Sequence, residues 1–591
     1  MMTAVILGIA AVPETLPVIV TLSLVYGVEN MAYKKAIIRN IPAVETLGNA
    51  SVIASYKTGT LTQNQMTIQR LWVQGEEIWH KDQLSDKEKD LIYKFGLVSN
   101  ATAVQDEGKW VTHGDPTETA IINFLIAHNA YQPDKNPPRL LELPFDSTRK
   151  KMTVVVPHES GGYLVITKGA FDRLVPDHFS EAHNIHDTFA ENALRVLALS
   201  YKVIEEIPEN HQLLEEDQTF LGIIGMIDPP RPESKHAVAE ARTAGIIPVM
   251  ITGDHALTAK AIAEELDIYR EGDLVVDGIT LANMTDEELK EKIEKISVYA
   301  RVSPEDKLRI VKAWQDKKHI VAMTGDGVND APSLRAADVG TAMGIAGTEV
   351  AKNASDIILA DDNFATIVSA IAEGRRVYIN IKRTIYYLLS ANVAEILIML
   401  FGAIIGWGLP LTGMQLLYIN VLADGIPGFG LSRETSDKYI MKKTPIDVNE
   451  SLFSRGVSQR ILTSSTTFII ISLIGFYIGR FVEIAGTTPS MQVGQSMTFL
   501  ALASTYHIFN ARSNDSIFKD GLYSNKTIFW TTIISLFITF VFTLTPLRSF
   551  IDVVPLTTTH WLIAILLSLL IFVVIELEKF FIKKANKTFL A

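Results

Sequence analysis

Apolar and polar positions divide the chain into an apolar start, a long mixed middle and an apolar C-terminal third. Residues 3–28 form the first apolar stretch, interrupted by Pro13-Glu14-Thr15-Leu16-Pro17. Two prolines four apart each remove a backbone donor and crowd the preceding turn, so this segment is expected to cross a bilayer as a broken helix. From residue 29 to about 375, short apolar runs such as Val154-Val155-Val156 alternate with amphipathic patterns and Gly/Pro turns, which predicts an α/β region. Residues 75–218 have their own turn-rich pattern and read as an insertion. Six further apolar stretches follow, at about 378–407, 413–431, 459–479, 492–511, 528–546 and 559–582. Each approaches or exceeds the ~20 residues needed to span a membrane, so seven spans are expected.

The connectors give an orientation. One loop carries Arg433, Lys438, Lys442, Lys443, Arg455 and Arg460, the next only Arg480, the next Arg512, Lys519 and Lys526, and the next only Arg548. The tail holds Lys579, Lys583, Lys584 and Lys587. This alternation puts the mixed region and the C-terminus in the cytosol and the N-terminus outside.

Composition narrows the classes. The 591 residues allow about three to five domains. Charged residues are only 20% of the chain and hydrophobic residues 48%, as expected for a mixed soluble and membrane protein. A net charge of -12 offers nothing to nucleic acid. With no cysteine, disulfides, thiolate metal sites and cysteine nucleophiles are excluded. The start has no basic n-region or cleavage site, so no cleaved signal peptide is expected.

Three motifs carry chemistry. Thr324-Gly325-Asp326-Gly327-Val328-Asn329-Asp330-Ala331-Pro332 follows the apolar run 320–323. Carboxylates and glycines at the C-terminal end of a strand suit a magnesium and phosphate site. Ile251-Thr252-Gly253-Asp254 follows another apolar run, with a helix expected near Ala256 whose start could hold a phosphate. Lys307 could place a cation on a transferring phosphoryl group. The third motif is Ser55-Tyr56-Lys57-Thr58-Gly59-Thr60-Leu61-Thr62.

Together with Lys168-Gly169-Ala170, Asp228-Pro229-Pro230-Arg231 and Ala360-Asp361-Asp362-Asn363-Phe364, these motifs make the chain resemble P-type cation-transporting ATPases, type II and calcium-pump-like, over its whole length. Their phosphorylation domain belongs to the haloacid dehalogenase superfamily. The resemblance implies a multidomain chain: an α/β haloacid-dehalogenase-like phosphorylation domain (29–74 and 219–376) with an inserted α+β nucleotide-binding domain (75–218). An all-α transmembrane bundle completes it, from 1–28 (the family's fourth membrane helix) and 377–591 (its fifth to tenth). Implied cofactors are ATP and Mg2+, with Ca2+ the transported ion, and the expected location is a bacterial plasma membrane. By resemblance, Lys57 and Lys307 stabilise the phosphoryl group, and Asp326 with the Thr58 carbonyl holds magnesium. Thr252, Asp254, Asn329 and Asp330 complete that site. Glu118 faces adenine, Phe145 stacks on it, Lys168 lines the pocket, and Arg195 and Arg301 approach the nucleotide.

Two departures matter. The family's motif opens with the Asp that accepts the γ-phosphoryl group, and here that position is Tyr56. A phenol is bulkier, has an ordinary pKa near 10, and would give an ester too stable to replace an acyl phosphate. Nor does the chain contain the Thr-Gly-Glu-Ser of the family's actuator domain. The expectation is therefore a truncated chain that does not pump, or else a non-catalytic ATP-binding regulatory module. A third possibility is half of a split pump, completed by a separate chain carrying the actuator and first three helices. A soluble phosphatase of the same superfamily fails on the seven spans.

The ion path is legible from the residues alone. Glu14, the pair Asn392 and Glu395, and the pair Asn420 and Asp424 lie inside apolar spans; spacings of three and four put each pair on one helix face. Intramembrane carboxylates mark an ion or proton path, and the prolines beside Glu14 free carbonyls for a hard cation. The resemblance adds the carbonyls of Ile9, Ala10 and Val12. Ala423 replaces the family's Thr, His507 a Glu and Thr15 a Gly, which implies one calcium-like site rather than two, with proton counter-transport through Glu395 or Asp424 open.

Overall fold

The computed structural model describes residue 8 and residues 12–584, apart from 80–82, 107, 177, 436–438, 447–449, 485, 504–505 and 514. Eight strands form one sheet in the order Ala36–Ile38, Ile357–Leu359, Val339–Met343, Val321–Gly325, Val52–Tyr56, Ile247–Thr252, Ile296–Ala300 and Leu274–Asp277. Every pair is parallel except the first. A parallel sheet is covered by helices on both faces, so its strands read as unbroken apolar runs. Val52, Ile53 and Ala54, like Val249, Met250 and Ile251, are accordingly fully buried. The three motif-bearing strands are neighbours: Val52–Tyr56 pairs with Ile247–Thr252 on one side and Val321–Gly325 on the other.

A second sheet is antiparallel, in the order Thr67–Val73, Thr219–Ile227, Arg195–Ile204, Tyr163–Gly169, Lys151–Pro157 and Leu141–Asp146. Helices Asp86–Leu97 and Pro116–Ala127 cover one face, burying Ile92, Phe95, Ile121 and Leu125 against Leu71, Val154, Ile166 and Ile224.

Five described helices are long and apolar enough to cross a membrane: Leu16–Tyr33, Phe364–Ile404, Val457–Phe481, Lys526–Leu544 and Thr558–Ile582. The other two expected spans are not single α-helices. The 413–431 stretch is Gly413–Tyr418, a π-helical turn Ile419–Ala423, then Gly425–Leu431. The 492–511 stretch is described as Met491–Ala503 and His507–Ala511, on either side of residues outside the described set. The first helix begins at Leu16, after a turn in which Leu16 N donates to Pro13 O at 3.1 Å, with Pro17 in its first turn; apart from residue 8, the part of the expected span before Val12 lies outside the described residues.

Phe364–Ile404 is one uninterrupted helix of 41 residues. At ~1.5 Å per residue it is about 60 Å long, roughly twice the hydrocarbon thickness. Its N-terminal part, with Phe364, Ile367, Val368 and Ile371, belongs to the same core as Val44, Leu47 and Ile53. A single rod therefore joins the parallel sheet to the bundle, straight through the boundary read at 376.

Candidate functional site

Tyr56, Thr252 and Gly325 end three adjacent parallel strands, so the three motifs meet at the carboxyl edge of the sheet. That edge is where open α/β sheets bind ligands. The Tyr56 N–H donates to Thr324 Oγ1 at 2.8 Å. After Tyr56 the chain makes one π-type turn, Lys57–Leu61, which Gly59 permits with φ +77°. The Asp228-Pro229-Pro230-Arg231 segment clamps this turn. Arg231 Nη2 donates to Gly59 O at 2.9 Å, Thr62 Oγ1 to Asp228 Oδ2, and Ser234 Oγ to Leu61 O at 3.0 Å.

The charges around Tyr56 are paired. Buried Lys57 forms an ion pair with Asp254, whose N–H donates to Thr252 Oγ1 at 3.1 Å. Lys307, on helix Pro304–Asp316, donates to Asp330 Oδ1 at 2.6 Å and lies 4.8 Å from the Tyr56 ring centroid, a cation–π contact. Asp330 Oδ2 accepts the N–H groups of Asp326 and Gly327 at 3.1 and 3.0 Å. Gly325 admits this crossing, because a Cβ there would meet Asp330 Cβ at 2.6 Å. Burial raises the Tyr56 phenol above its ordinary value, and the Asp326, Asp330 and Asp254 carboxylates raise it further. Burial, then Asp330, raises the Asp326 carboxyl. Asn329 is exposed and Thr58 half-buried on the loops beside them.

Among the described residues, no three His, Asp or Glu side chains are grouped to hold a metal. Asp326, half-buried and crowded by Asp330 with Lys307 only partly offsetting that repulsion, is a hard oxygen donor. That suits Mg2+, which takes one or two carboxylates and fills its other positions with water and phosphate oxygens.

On the antiparallel sheet, Lys168 and Glu118 form an ion pair, and Asn100 N donates to the other Glu118 oxygen at 3.1 Å. Burial lowers the Lys168 ammonium, against the pull of Glu118. Phe145 is 62% exposed, open to stacking. Arg195 is exposed at the start of its strand. Arg301 is not on this sheet; it follows Ile296–Ala300 and emerges at the same carboxyl edge as Tyr56.

The third group lies in the bundle. Asn392, Glu395, Asn420 and Asp424 are all buried. Both Glu395 oxygens and Asn420 Nδ2 lack a hydrogen-bond partner, although the Asn420 amide lies close to the carboxylate. Glu14 is exposed, and Ile9 and Ala10 lie outside the described residues. Neighbouring Thr15 packs on Gly425, where a Cβ would meet Thr15 Cγ2 at 2.8 Å. Asn420 and Asp424 do not share an ordinary helix face, because the π turn intervenes: Asp424 N donates to Ile419 O at 2.8 Å. Ser535 Oγ donates to Ala423 O at 3.1 Å beside that turn. Tyr387 Oη donates to Asp424 Oδ1 at 3.0 Å, a contact no motif announced. Steps of four place Tyr387, Ala391 and Glu395 on one stripe, and that signal was in the sequence. These three, Asp424 and His507 line a cavity of about 10 Å³, room for roughly one water. His507 is boxed by Tyr386, Phe468 and Tyr387, at centroid distances of 5.2, 5.3 and 5.8 Å.

Comparison with known proteins agrees with this layout. Residues 57–338 match the haloacid dehalogenase-like hydrolase family, and residues 408–581 match the C-terminal region of cation transporting ATPases. Calcium-transporting ATPase 1 of Lactococcus lactis subsp. lactis is 39% identical over 599 residues, covering 98% of this chain and 67% of that protein. The calcium-transporting ATPase of Bacillus subtilis is 39% identical over 602 residues, covering 95% of this chain and 67% of its own. A plasma membrane-type calcium-transporting ATPase of Arabidopsis thaliana is 33% identical over 605 residues, covering 97% of this chain and 58% of its own. With this identity sustained along nearly all of its length, the chain belongs to the P-type calcium-transporting ATPases, integral membrane proteins built on a haloacid dehalogenase-like domain.

Proposed function

We propose that this chain holds ATP, magnesium and one calcium-like ion in the manner of a calcium-transporting ATPase, and that with tyrosine at position 56 it does not form the phosphorylated intermediate. The observation that carries this reading is the Tyr56 environment. The phenol stands at the carboxyl end of the central strand, with Lys57, Lys307, Asp326 and Asp330 around it. It is held neutral near pH 7, because burial and three carboxylates disfavour the phenolate. Lys57 and Lys307 keep their roles as cations for a phosphoryl group, Asp326 and the Thr58 carbonyl theirs as magnesium ligands, and Thr252, Asp254, Asn329 and Asp330 complete the site. Magnesium bound there would offset phosphate charge.

Strands Thr67–Val73 and Thr219–Ile227 belong to the antiparallel sheet, so in place of the boundaries read at 75 and 218 residues 29–66 and 228–376 are assigned to phosphorylation, 67–227 to nucleotide binding, and 1–28 with 377–591 to the membrane. Glu118, Phe145 and Lys168 hold the base, with Arg195 and Arg301 toward the phosphates. The placement of Arg301 at the Tyr56 edge supports that last role. Glu14, Asn392, Glu395, Asn420 and Asp424 carry the ion. His507 in the same cavity supports one ion rather than two. The basic loops support a cytosolic position for the large domains, and the bacterial relatives a bacterial plasma membrane.

A non-catalytic ATP-binding or regulatory role is the second reading, favoured by the intact Glu118–Lys168 pair beside a replaced nucleophile. The comparisons give a separate partner chain no support. The test is incubation of purified chain with γ-phosphate-labelled ATP, with and without calcium, beside Tyr56→Asp, followed by hydroxylamine. The expected result is a calcium-dependent, hydroxylamine-sensitive label in Tyr56→Asp alone. A hydroxylamine-resistant label on the Tyr56 chain would mean a tyrosyl phosphate and overturn the reading.

A further inference from the structure

The loop 344–348 leaves strand Val339–Met343 and enters helix Glu349–Ala354. On the way it reaches the magnesium carboxylate's own backbone: Thr348 N donates to Asp326 O at 2.8 Å. The other end of the loop is gripped by one side chain. Asp362 Oδ1 accepts the N–H groups of Gly344 at 2.7 Å and Ile345 at 3.0 Å, and Oδ2 accepts that of Ala346 at 2.8 Å. Three converging backbone N–H groups make an anion-binding concavity, filled here by a carboxylate of the chain itself.

The arrangement is built with little slack. Asp362 is buried and held at φ +54°, a left-handed conformation that persists only where the surroundings impose it. Gly347 has no room for a side chain, since a Cβ would come within 2.0 Å of Met343 O. The residues on either side of Asp362 are committed elsewhere. Asp361 accepts from Thr366 Oγ1, while Asn363 caps the long helix by accepting from Ala365 N at 2.9 Å and donates to Glu233 at 2.6 Å. The grip on the loop is therefore rooted at the first turn of the helix that carries Asn392 and Glu395.

We propose that Asp362 is a positioning residue for Asp326: through loop 344–348 it sets the Asp326 backbone, and with it the carboxylate offered to a divalent cation. It does so from the root of the long membrane helix, so a shift of that helix reaches the metal carboxylate through two hydrogen-bonded links. The proposal rests on the magnesium reading of Asp326. Residues that orient a metal ligand typically change affinity by about 10–100-fold when removed.

The test is Mn2+ binding to the full purified chain, read by electron paramagnetic resonance as the part of the signal lost in Asp326→Asn. Asp362→Asn is isosteric and tolerates the left-handed backbone, but it offers only one acceptor oxygen to three donors. We expect it to weaken that Mn2+ binding by about tenfold or more in a chain that circular dichroism shows still folded, while Asp361→Asn leaves it unaltered. Should Asp362→Asn not fold, Gly347→Ala disturbs the same loop from within and is expected to weaken Mn2+ binding likewise. Wild-type Mn2+ affinity in the folded variant, or weakening matched by an equal loss in Asp361→Asn, would overturn the proposal. Undiminished Mn2+ binding in Asp326→Asn would instead remove the magnesium reading itself, and this proposal with it.

Discussion

Tyr56 concentrates the chemistry at the residue scale. Its neighbours are two lysines and three carboxylates, the groups proposed to serve a phosphoryl transfer, yet the group they surround is a neutral phenol. Asp326 provides a pH test of that electrostatics. Its folded-state pKa is raised, so stability is lost as pH rises from the ordinary carboxyl value to the raised one, and this cost, complete above the raised value, disappears as pH falls back to the ordinary carboxyl range. Without divalent cation, Asp326→Asn is therefore expected to raise the melting temperature at pH 7 and to lose this advantage toward pH 4. Because Asp326 is half exposed, the gain should stay below about 1 kcal/mol. Thermal unfolding across that pH range checks it; an advantage that grew on acidification would contradict the assignment. In the bundle, Tyr387→Phe removes one hydrogen bond to Asp424. A loss of about 1 kcal/mol is expected, read as roughly fivefold weaker binding of labelled calcium, whereas Glu395→Gln or Asp424→Asn should abolish it.

Where the long helix crosses helix Ala43–Gly48, the two elements meet backbone to backbone. A Cβ on Gly48 would sit 2.4 Å from Gly374 C, and one on Gly374 would sit 2.5 Å from Val44 O. Gly374→Ala should force the helices apart and destabilise by about 1–3 kcal/mol, measured as a shift of the denaturant midpoint. One residue on, buried Arg375 donates to Ala244 O at 3.0 Å, Ile440 O at 3.2 Å and Lys443 O at 2.6 Å. It ties the helix to the parallel sheet's second half and to the loop between membrane segments. Arg375→Met would remove the guanidinium donor from all three carbonyls; a cost of about 3 kcal/mol is expected, with earlier proteolysis near residue 440 than in the unaltered chain. No loss of protection there would mean the loop is held by other contacts.

Across the whole molecule, the three candidate sites stand on three separate cores: the parallel sheet, the antiparallel sheet and the bundle. Sites that share no partners are expected to behave additively. The chain with Tyr56 should therefore bind ATP within about threefold of Tyr56→Asp, while Lys168→Met should weaken binding by about tenfold in both, roughly one charge-assisted hydrogen bond. Calorimetric titration with ATP separates these cases. Equal loss of ATP binding from the Tyr56 substitution would show that the two sheets do not act independently.

Much of this was legible in the residues in order. Apolar runs ending in small polar motifs read as strands of an α/β region, and the structure pairs them in parallel, consistent with a strand covered on both faces being apolar throughout. Carboxylates inside apolar spans marked a candidate ion path, because an unpaired charge there is costly. What the order of residues did not contain is register and contact between distant segments. The π turn at Ile419–Ala423 looked like ordinary helix, since its hydrogen-bond shift leaves no periodic signature in five residues. Asp362 gripping Gly344, Tyr387 meeting Asp424 and Arg375 joining separate segments arise only once packing fixes which backbone groups face which side chains. Composition and periodicity determined which elements form and what chemistry they bring; tertiary structure decided which of those groups share a site, because buried polar atoms take partners by proximity in space, whatever their separation along the chain.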